Sequence, residues 1–580
     1  MASIAAAPPG VFHDHSDHIH PAPRTFIGKY IFSIDAKVIG VQYMIAGLLF
    51  FCISGLLAEI VRIQLMRPEG GFVSNDTYNG VYTLHASGMI WMTIIPLVTG
   101  GFGNFVMPLM IGARDVAFPW LNLAAFWIFP PAGLLLFSSF LVGAPDAGWT
   151  EYPPVSVQGP PGTSLWAAAI FLIGISSTMT GLNFMVTIVK MRAPGMTFTR
   201  MPLFVWAQLA TALLNMVATV ALSAALAALF IERQFGVPFY DPGRGGSPLL
   251  WQHMFWFYSH PAVYIMILPA FGFVSEIIPT FARKPIFGYK MIAFSSMAIA
   301  LLGFTVWAHH MFTSGMAPWM QLPFMILTMI IAVPTGIKIF SWTATLWGGK
   351  IHFHPAMLFS LGFIVVFTLG GVTGIFLSSV PVDLHWHGTY AVVAHIHYVL
   401  FGGSIFGIFA AVYYWWPKIT GRMMSNKLGA WHFWLTFISF NLTFLPMHWL
   451  GLMGMPRRVA QYSDTVPALL PSFTAVNVFV SISSFVLAGS TLVLLYNMAH
   501  SLIAGKKAPP NPWGARTLEW QISSPPPYYN FKKIPIVLKN PYDFGEPLPY
   551  VGLDPSDKDD DHEDPNDHHD PTPAGAHAHG

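Results

Sequence analysis

The stretch His385-Trp-His-Gly-Thr-Tyr-Ala-Val-Val-Ala-His395-Ile-His397-Tyr-Val-Leu400 opens an apolar segment that runs to about Trp416. No Asp, Glu, Lys or Arg follows His397 until Lys418, so the segment reads as a membrane-spanning helix with two histidines buried near one end. An ionisable residue inside a span is costly and marks function by default. At ~100° per residue, His395 and His397 point roughly 200° apart and face opposite flanks of one helix. Two imidazoles aimed in opposite directions cannot ligate one metal, but they can serve two separate groups. On these two residues alone, hydrogen bonds to neighbouring helices explain them equally well.

Working outward, composition sets the class. The chain has 580 residues, of which 54% are apolar, 15% aromatic and 9% charged, against about 25% charged in soluble domains. An all-α, polytopic membrane protein is expected. A net charge of +2 without a basic block gives no footprint for nucleic acid. The single cysteine, Cys52, excludes disulfides within the chain and multi-cysteine metal clusters. Metal chemistry then falls to the 23 histidines. The N-terminus, rich in His and Pro, lacks the regions of a signal peptide.

Twelve apolar runs are each long enough to span. They lie at 36–62 and near 82–111, 123–143, 163–189, 202–231, 249–279, 289–308, 320–344, 355–378, 389–416, 428–449 and 475–503. An even number puts both termini on one side. Loops on that side carry Arg114, Lys190, Arg192, Arg200, Arg283, Lys284, Lys290, Lys350, Lys418, Arg422 and Lys427. The opposite loops have fewer basic residues, so both termini are expected in the cytoplasm. The organisation expected is a polar His-rich tail at 1–35, a membrane domain at 36–505, and a Pro-rich then Asp/His-rich tail at 506–580, too polar to pack a core.

Other histidines lie inside the spans. His85 sits in Val81-Tyr-Thr-Leu-His85-Ala-Ser-Gly88, beside small residues that suit either a flat ligand or close helix packing. His260 and Tyr264, one helical turn apart, share a face of the sixth span. His309 and His310 close the seventh, and adjacent histidines can meet one ion only where a helix is ending. Following the alternating span directions, all six histidines fall in one layer of the membrane. Imidazole suits copper and haem iron.

With these residues in view, the chain resembles subunit I of the haem–copper oxygen reductases, close to the cytochrome c oxidases. The likeness covers roughly residues 30–530 and includes Gly100-Gly-Phe-Gly-Asn-Phe-Val-Met-Pro-Leu-Met-Ile-Gly112, Trp251-Gln-His-Met-Phe-Trp256, Trp307-Ala-His-His-Met-Phe312, Pro334-Thr-Gly-Ile-Lys338 and Gly454-Met-Pro-Arg-Arg458. The resemblance implies a fold of about twelve helices enclosing two haems, expected to be of the a type, and one copper. It implies reduction of dioxygen to water with electrons from cytochrome c, coupled to proton translocation. A copper-containing subunit II would deliver those electrons, since no cysteine pair for a dinuclear copper site exists here. Subunit III, membrane lipid and a bacterial plasma membrane belong to the same expectation.

By the family pattern, His85 and His397 are axial ligands of a low-spin haem, His395 is the single ligand of a high-spin haem, and His260, His309 and His310 hold copper. Tyr264 matches a tyrosine linked covalently to the copper histidine one turn earlier. Arg457 and Arg458 match a pair that binds haem propionates, with Asp383 and His387 nearby and Arg62 at the low-spin haem. Lys338 with Thr335, and Ser275 near the entrance, match one proton pathway. Asp115, with Asn104 and Asn122, matches the mouth of a second.

Two positions depart from the common pattern. Ala262 stands where many members carry an acid, and Tyr258 and Ser259 lie just before His260 in a Tyr-Ser-His-Pro variant known in the family. A proton-relay role for Tyr258 and Ser259 is therefore expected. Gly388 stands where many members have an acid at a magnesium site, and losing that carboxylate weakens such a site. Quinol oxidase is the nearest alternative. Its characteristic acid, His and Gln are replaced here by Met66, Thr77 and Gly80. A non-redox transporter using membrane-buried His and Lys is an alternative of a different class.

Overall fold

A computed structural model of the chain describes residues 23–553. Among these, eleven helices are long and apolar enough to cross a membrane: α1 (Ala36–Gln64), α2 (Asn75–Ile111), α3 (Pro119–Val142), α4 (Gly162–Lys190), α5 (Leu203–Phe235) and α6 (Pro248–Ala282), then α8 (Pro318–Leu346), α9 (Pro355–Ser378), α10 (Tyr390–Thr420), α11 (Asn426–Leu452) and α12 (Pro467–Ala504). Between α6 and α8 lies α7 (Tyr289–Gly303), an apolar helix of 15 residues. Two short strands, β1 (Ile536–Val537) and β2 (Tyr550–Val551), pair antiparallel.

Helix starts follow from the backbone N–H groups that a first turn leaves unpaired. The side chains of Asp35, Ser74, Ser247, Thr389 and Ser425 accept such N–H groups at α1, α2, α6, α10 and α11. Proline, which has no N–H to lose, opens α3, α6, α8 and α9. The most apolar windows of α2 and α6 are 100% and 89% buried, against 17% in α8, which makes α2 and α6 the centre of the bundle. Around them α5 packs on α4 and α6, and α10 lies between α9 and α11.

Regular helix is interrupted where the histidines sit. Three residues after His85, α2 widens into π-helix over Gly88–Ile94, and three residues after His397, α10 does so over Leu400–Ile405. Such widenings cluster at functional sites. The seventh run, expected as a span over 289–308, is helical only to Gly303 and then makes a 3₁₀ turn at Trp307–Met311. A Cβ at Gly303 would come within 2.9 Å of the Tyr264 ring, so the bare backbone lets that ring lie against the end of α7.

The structure corrects one expectation. Over 506–553 the C-terminal region packs against the bundle. Its apolar residues are sparse, but Trp513, Leu518, Trp520, Ile522 and Phe531 are buried. Several of its polar groups pair with the bundle. Lys418 donates to the carbonyls of Pro510, Ile522 and Ser523. The Tyr542 hydroxyl accepts the Leu203 N–H and donates to Glu276. The Asp/His-rich remainder and His13, His15, His18 and His20 lie outside the described residues.

Candidate metal centre and cofactor cavity

The break after α7 brings three histidines to one point. His260 Nδ1 lies 3.2 Å from His310 Nε2, which lies 3.0 Å from His309 Nε2. Ligand atoms of all three fall within 4.8 Å of one another. For metal–nitrogen bonds of ~2 Å, nitrogens around one ion stand roughly 3.3–3.5 Å apart, close to what is seen. Thr328 lies 3.1 Å from His309 Nδ1, and Trp256 stacks on His310 at 3.7 Å. The other nitrogen of His260, Nε2, is buried without a partner, and the Tyr264 ring is 4.8 Å away between centroids.

His395 and His397 do face opposite flanks. His395 presents Nδ1 to the Gly370 carbonyl at 3.1 Å and the Thr373 hydroxyl at 3.0 Å, both on α9. His397 presents Nδ1 to the Val393 carbonyl at 2.8 Å, and its ring stacks on Phe444 of α11. Across from it, His85 presents Nδ1 to the Ser54 carbonyl at 2.8 Å. The His85 and His397 rings are nearly parallel, 8° apart, with centroids 6.4 Å apart. Two ~2 Å metal–nitrogen bonds plus two ring radii of ~1.1 Å span about 6 Å, so one iron fits between them. Each Nδ1 bond to a carbonyl sets the tautomer that leaves Nε2 free to ligate.

Of the small residues after His85, Gly88 serves helix packing, since a Cβ there would meet Ser54 Oγ, whereas Ala86 faces the cavity.

All six histidines border one cavity of about 1050 Å³. Ordinary small-molecule pockets measure ~300–1,000 Å³, so this cavity stands at the top of that range. The donor set and its spacing fit two haems and a copper.

Charged groups gather at the rim of this cavity. His387 Nδ1 is 3.1 Å from Asp383 Oδ2. The loop carrying Arg457 and Arg458 is tied to the start of α10, with the Arg457 N–H on the Gly388 carbonyl and the Tyr390 N–H on the Met455 carbonyl. Gly388 adopts φ +73°, a left-handed conformation that glycine takes without strain. Burial pushes the Arg457 guanidinium down to about 10. Arg458 donates to the Ala147 carbonyl and the Thr150 hydroxyl. Arg62 is buried. It donates to Asn477 and Ser481 while its Nη1 has no partner.

Lys338 does not reach for the surface. It is 1% exposed and donates to the Ile292 carbonyl at 2.9 Å and the Ser296 hydroxyl at 2.6 Å. Thr335, three residues before Lys338 on α8, borders the cavity. Ser275 accepts from Trp342 rather than from the lysine. The sequence reading did not name Ser296, and its only signal is the Ser-Ser pair within apolar α7.

On the face of the termini, Asp115 accepts the N–H groups of Ala36 and Val116. Burial and the neighbouring Asp35 push its carboxyl up to about 7. Deeper, Asn122 donates to Asn104 at 2.8 Å, while the Asn122 oxygen is left unpaired. The Tyr258 hydroxyl accepts from Trp91 at 3.2 Å, and the hydroxyl of Ser259 is buried without a partner. Trp91 and Asn104 are thirteen residues apart on α2, about 20 Å at 1.5 Å per residue, so Tyr258 does not touch the Asn pair. Between them on α2, Thr93 and Thr99 are buried, and Gln208 donates to the Val98 carbonyl. Trp91, Thr328 and Thr373 were also missed, because nothing in sequence spacing links them to their partners.

Comparison with known proteins bears on this geometry. The pattern of the family described as cytochrome C and quinol oxidase polypeptide I matches residues 38–486. The chain is 52% identical over 527 residues to cytochrome c oxidase subunit 1 of Thermostichus vulcanus, covering 91% of this chain and 94% of that one. It is 53% identical to the protein of the same description from Synechocystis sp., with the same coverage. The Bacillus subtilis protein so described is 44% identical, over 88% of this chain and 82% of its own. Among solved structures, a heme-copper terminal oxidase dimer determined by cryo-EM is similar in fold, with a TM-score of 0.70 at 20% identity, covering 81% of this chain and 84% of that one.

Proposed function

Because the chain belongs to the cytochrome c and quinol oxidase polypeptide I family, we propose residue roles for a terminal oxidase. The protein is a multi-pass membrane protein and the catalytic subunit of that enzyme. In our reading His85 and His397 hold the low-spin haem, His395 the high-spin haem, and His260, His309 and His310 the copper. One observation carries the assignment: His395 and His397, two residues apart on α10, turn to opposite flanks, and His397 meets a parallel His85. The haems are read as a type.

When bound, the irons and the copper supply electrons and the open coordination positions at which dioxygen is reduced to water. The chain's own residues orient these groups and move protons. Arg457 and Arg458, with Asp383 and His387, are suited to haem carboxylates, which arginine recognises through its fixed fork of donors. Arg62 has one donor, Nη1, left for the low-spin group. Tyr264 gives an electron and a proton together, and its ring lies beside that of His260, whose Nε2 has no other partner. Lys338, held by Ser296 and the Ile292 carbonyl, passes protons by way of Thr335 towards Tyr264, with Ser275 on the cytoplasmic side. Asp115 collects protons at a second mouth and passes them along Asn122 and Asn104. Tyr258 and Ser259 take the place of the acid missing at Ala262, receiving protons through water rather than by direct contact.

Both termini are placed in the cytoplasm of a bacterium, and electrons arrive from cytochrome c through a copper-bearing partner subunit. Quinol is disfavoured by Gly80, where a Cβ would meet the Ala144 side chain, leaving no room for the larger polar residue that quinol oxidases carry there. Oxygen uptake by the purified complex tests this directly. Reduced cytochrome c should support it and a quinol should not, and the reverse result would make the enzyme a quinol oxidase.

A further inference from the structure

The loop between α3 and α4 holds a carboxyl that none of the roles above uses. Glu151 is fully buried, and neither of its oxygens is in a well-formed hydrogen bond. Its backbone adopts φ +41°, a left-handed conformation rare outside glycine. A buried acid so poorly hydrogen-bonded and a strained backbone both cost stability, and such costs persist mainly where function needs them.

The surroundings are of one kind. Asp146 Oδ1, Ser156 Oγ and Thr163 Oγ1 are likewise buried and unpaired. Asp146 Oδ1 and Thr163 Oγ1 both come within 3.3 Å of the point where a Cβ on Gly159 would stand. Asp146 is partly exposed, and its charge acts on the buried Glu151, so the pair stands between the interior and the surface. On the inner side, the residues flanking Glu151, Thr150 and Tyr152, border the haem–copper cavity, and Arg458 binds the Thr150 hydroxyl. On the outer side, Arg233 is committed to the loop through the carbonyls of Ser156, Val157, Gly159 and Pro160 and the Ser164 hydroxyl.

We propose that Glu151 holds protons leaving the cavity, taking each one on a carboxylate oxygen and giving it up through Asp146 to the non-cytoplasmic solvent. The O–H bond formed in the first step is broken in the second, so the carboxyl ends unchanged. The groups whose charges act on Glu151 are Asp146, Arg233 and Arg458, with Tyr82 of α2 beside them. Burial and Asp146 push its carboxyl up to about 8, against the pull of the two arginines. It can therefore hold or release a proton near neutral pH. The inference rests on the reading, implied by the family resemblance, that oxygen reduction is coupled to proton translocation across the membrane.

The test uses the complete complex in vesicles, fuelled by reduced cytochrome c, comparing the unaltered protein with Glu151→Gln, Glu151→Asp and Asp146→Asn. Glu151→Gln should lower protons released per oxygen consumed by about twofold or more, and Glu151→Asp, which keeps a carboxyl, should restore most of it. Asp146→Asn, in a partly exposed position that tolerates change, should lower the ratio in the same direction. A carboxyl band in the redox-difference infrared spectrum should disappear in Glu151→Gln. Equal proton release and an unchanged infrared spectrum in Glu151→Gln would overturn the inference. If Glu151→Gln does not assemble, an unaltered ratio in Asp146→Asn would overturn it instead. Absence of proton release by the unaltered protein would overturn the pumping proposal itself, a result distinct from either.

Discussion

Asp115 and Glu151 lie in loops on opposite faces of the membrane domain, and burial raises both carboxyls towards neutrality. For Asp115 the native value, about 7, exceeds the ordinary carboxylate value, so the native state binds more protons than the unfolded chain between those pH values. Its contribution to stability is therefore full in acid and is lost as pH rises through about 7. Asp115→Asn should flatten this fall, measured as thermal stability at about pH 5 and about pH 8. The same variant should slow turnover by roughly 100-fold or more if Asp115 feeds a proton pathway, and unchanged oxygen uptake would remove it from that role. Among the histidines, His309→Asn should lower copper content at least ~100-fold in affinity, because a three-nitrogen site has no ligand to spare. Thr328→Val, which strips His309 Nδ1 of its neighbour, should cost about tenfold by the same titration.

At the scale of elements, the C-terminal region behaves as part of the membrane domain. Tyr542 joins the start of α5 to Glu276 on α6, and Tyr542→Phe would leave that buried acid with the Phe204 N–H. A loss of ~1–3 kcal/mol is expected, read as a lower Tm with haem content retained. This region was not legible in the sequence, since its few apolar residues, such as Trp513 and Trp520, are diluted in a long tail of Pro, Asp and His. What fixes them is matching to residues far away in the chain, Lys418 and Glu276 among them, and no local periodicity records that. The helices were legible for the opposite reason. Each span carries its own signal in an uninterrupted apolar run, as α10 does from Ala391 to Pro417 around its two histidines. Only α7 ran short, because the composition of 289–308 says apolar without saying where the helix must stop so that His309 and His310 can turn to one point.

Across the whole molecule, a histidine triad and a facing pair border one cavity, with His395 between them, because α10 turns one histidine to each flank. The triad is closed by the break after α7, and the facing pair by the approach of α2 to α10. Replacing one member of the pair should therefore leave the triad intact, and replacing His395 should spare the pair. The central claim is that this single subunit holds two haems and one copper. Its most direct test is a haem assay combined with metal analysis on purified protein, unaltered and carrying His397→Ala. Two haems and one copper are predicted for the unaltered subunit, with loss of the low-spin signal and retention of copper in His397→Ala. Haem-free protein, or both haems with native spectra in His397→Ala, would contradict the account.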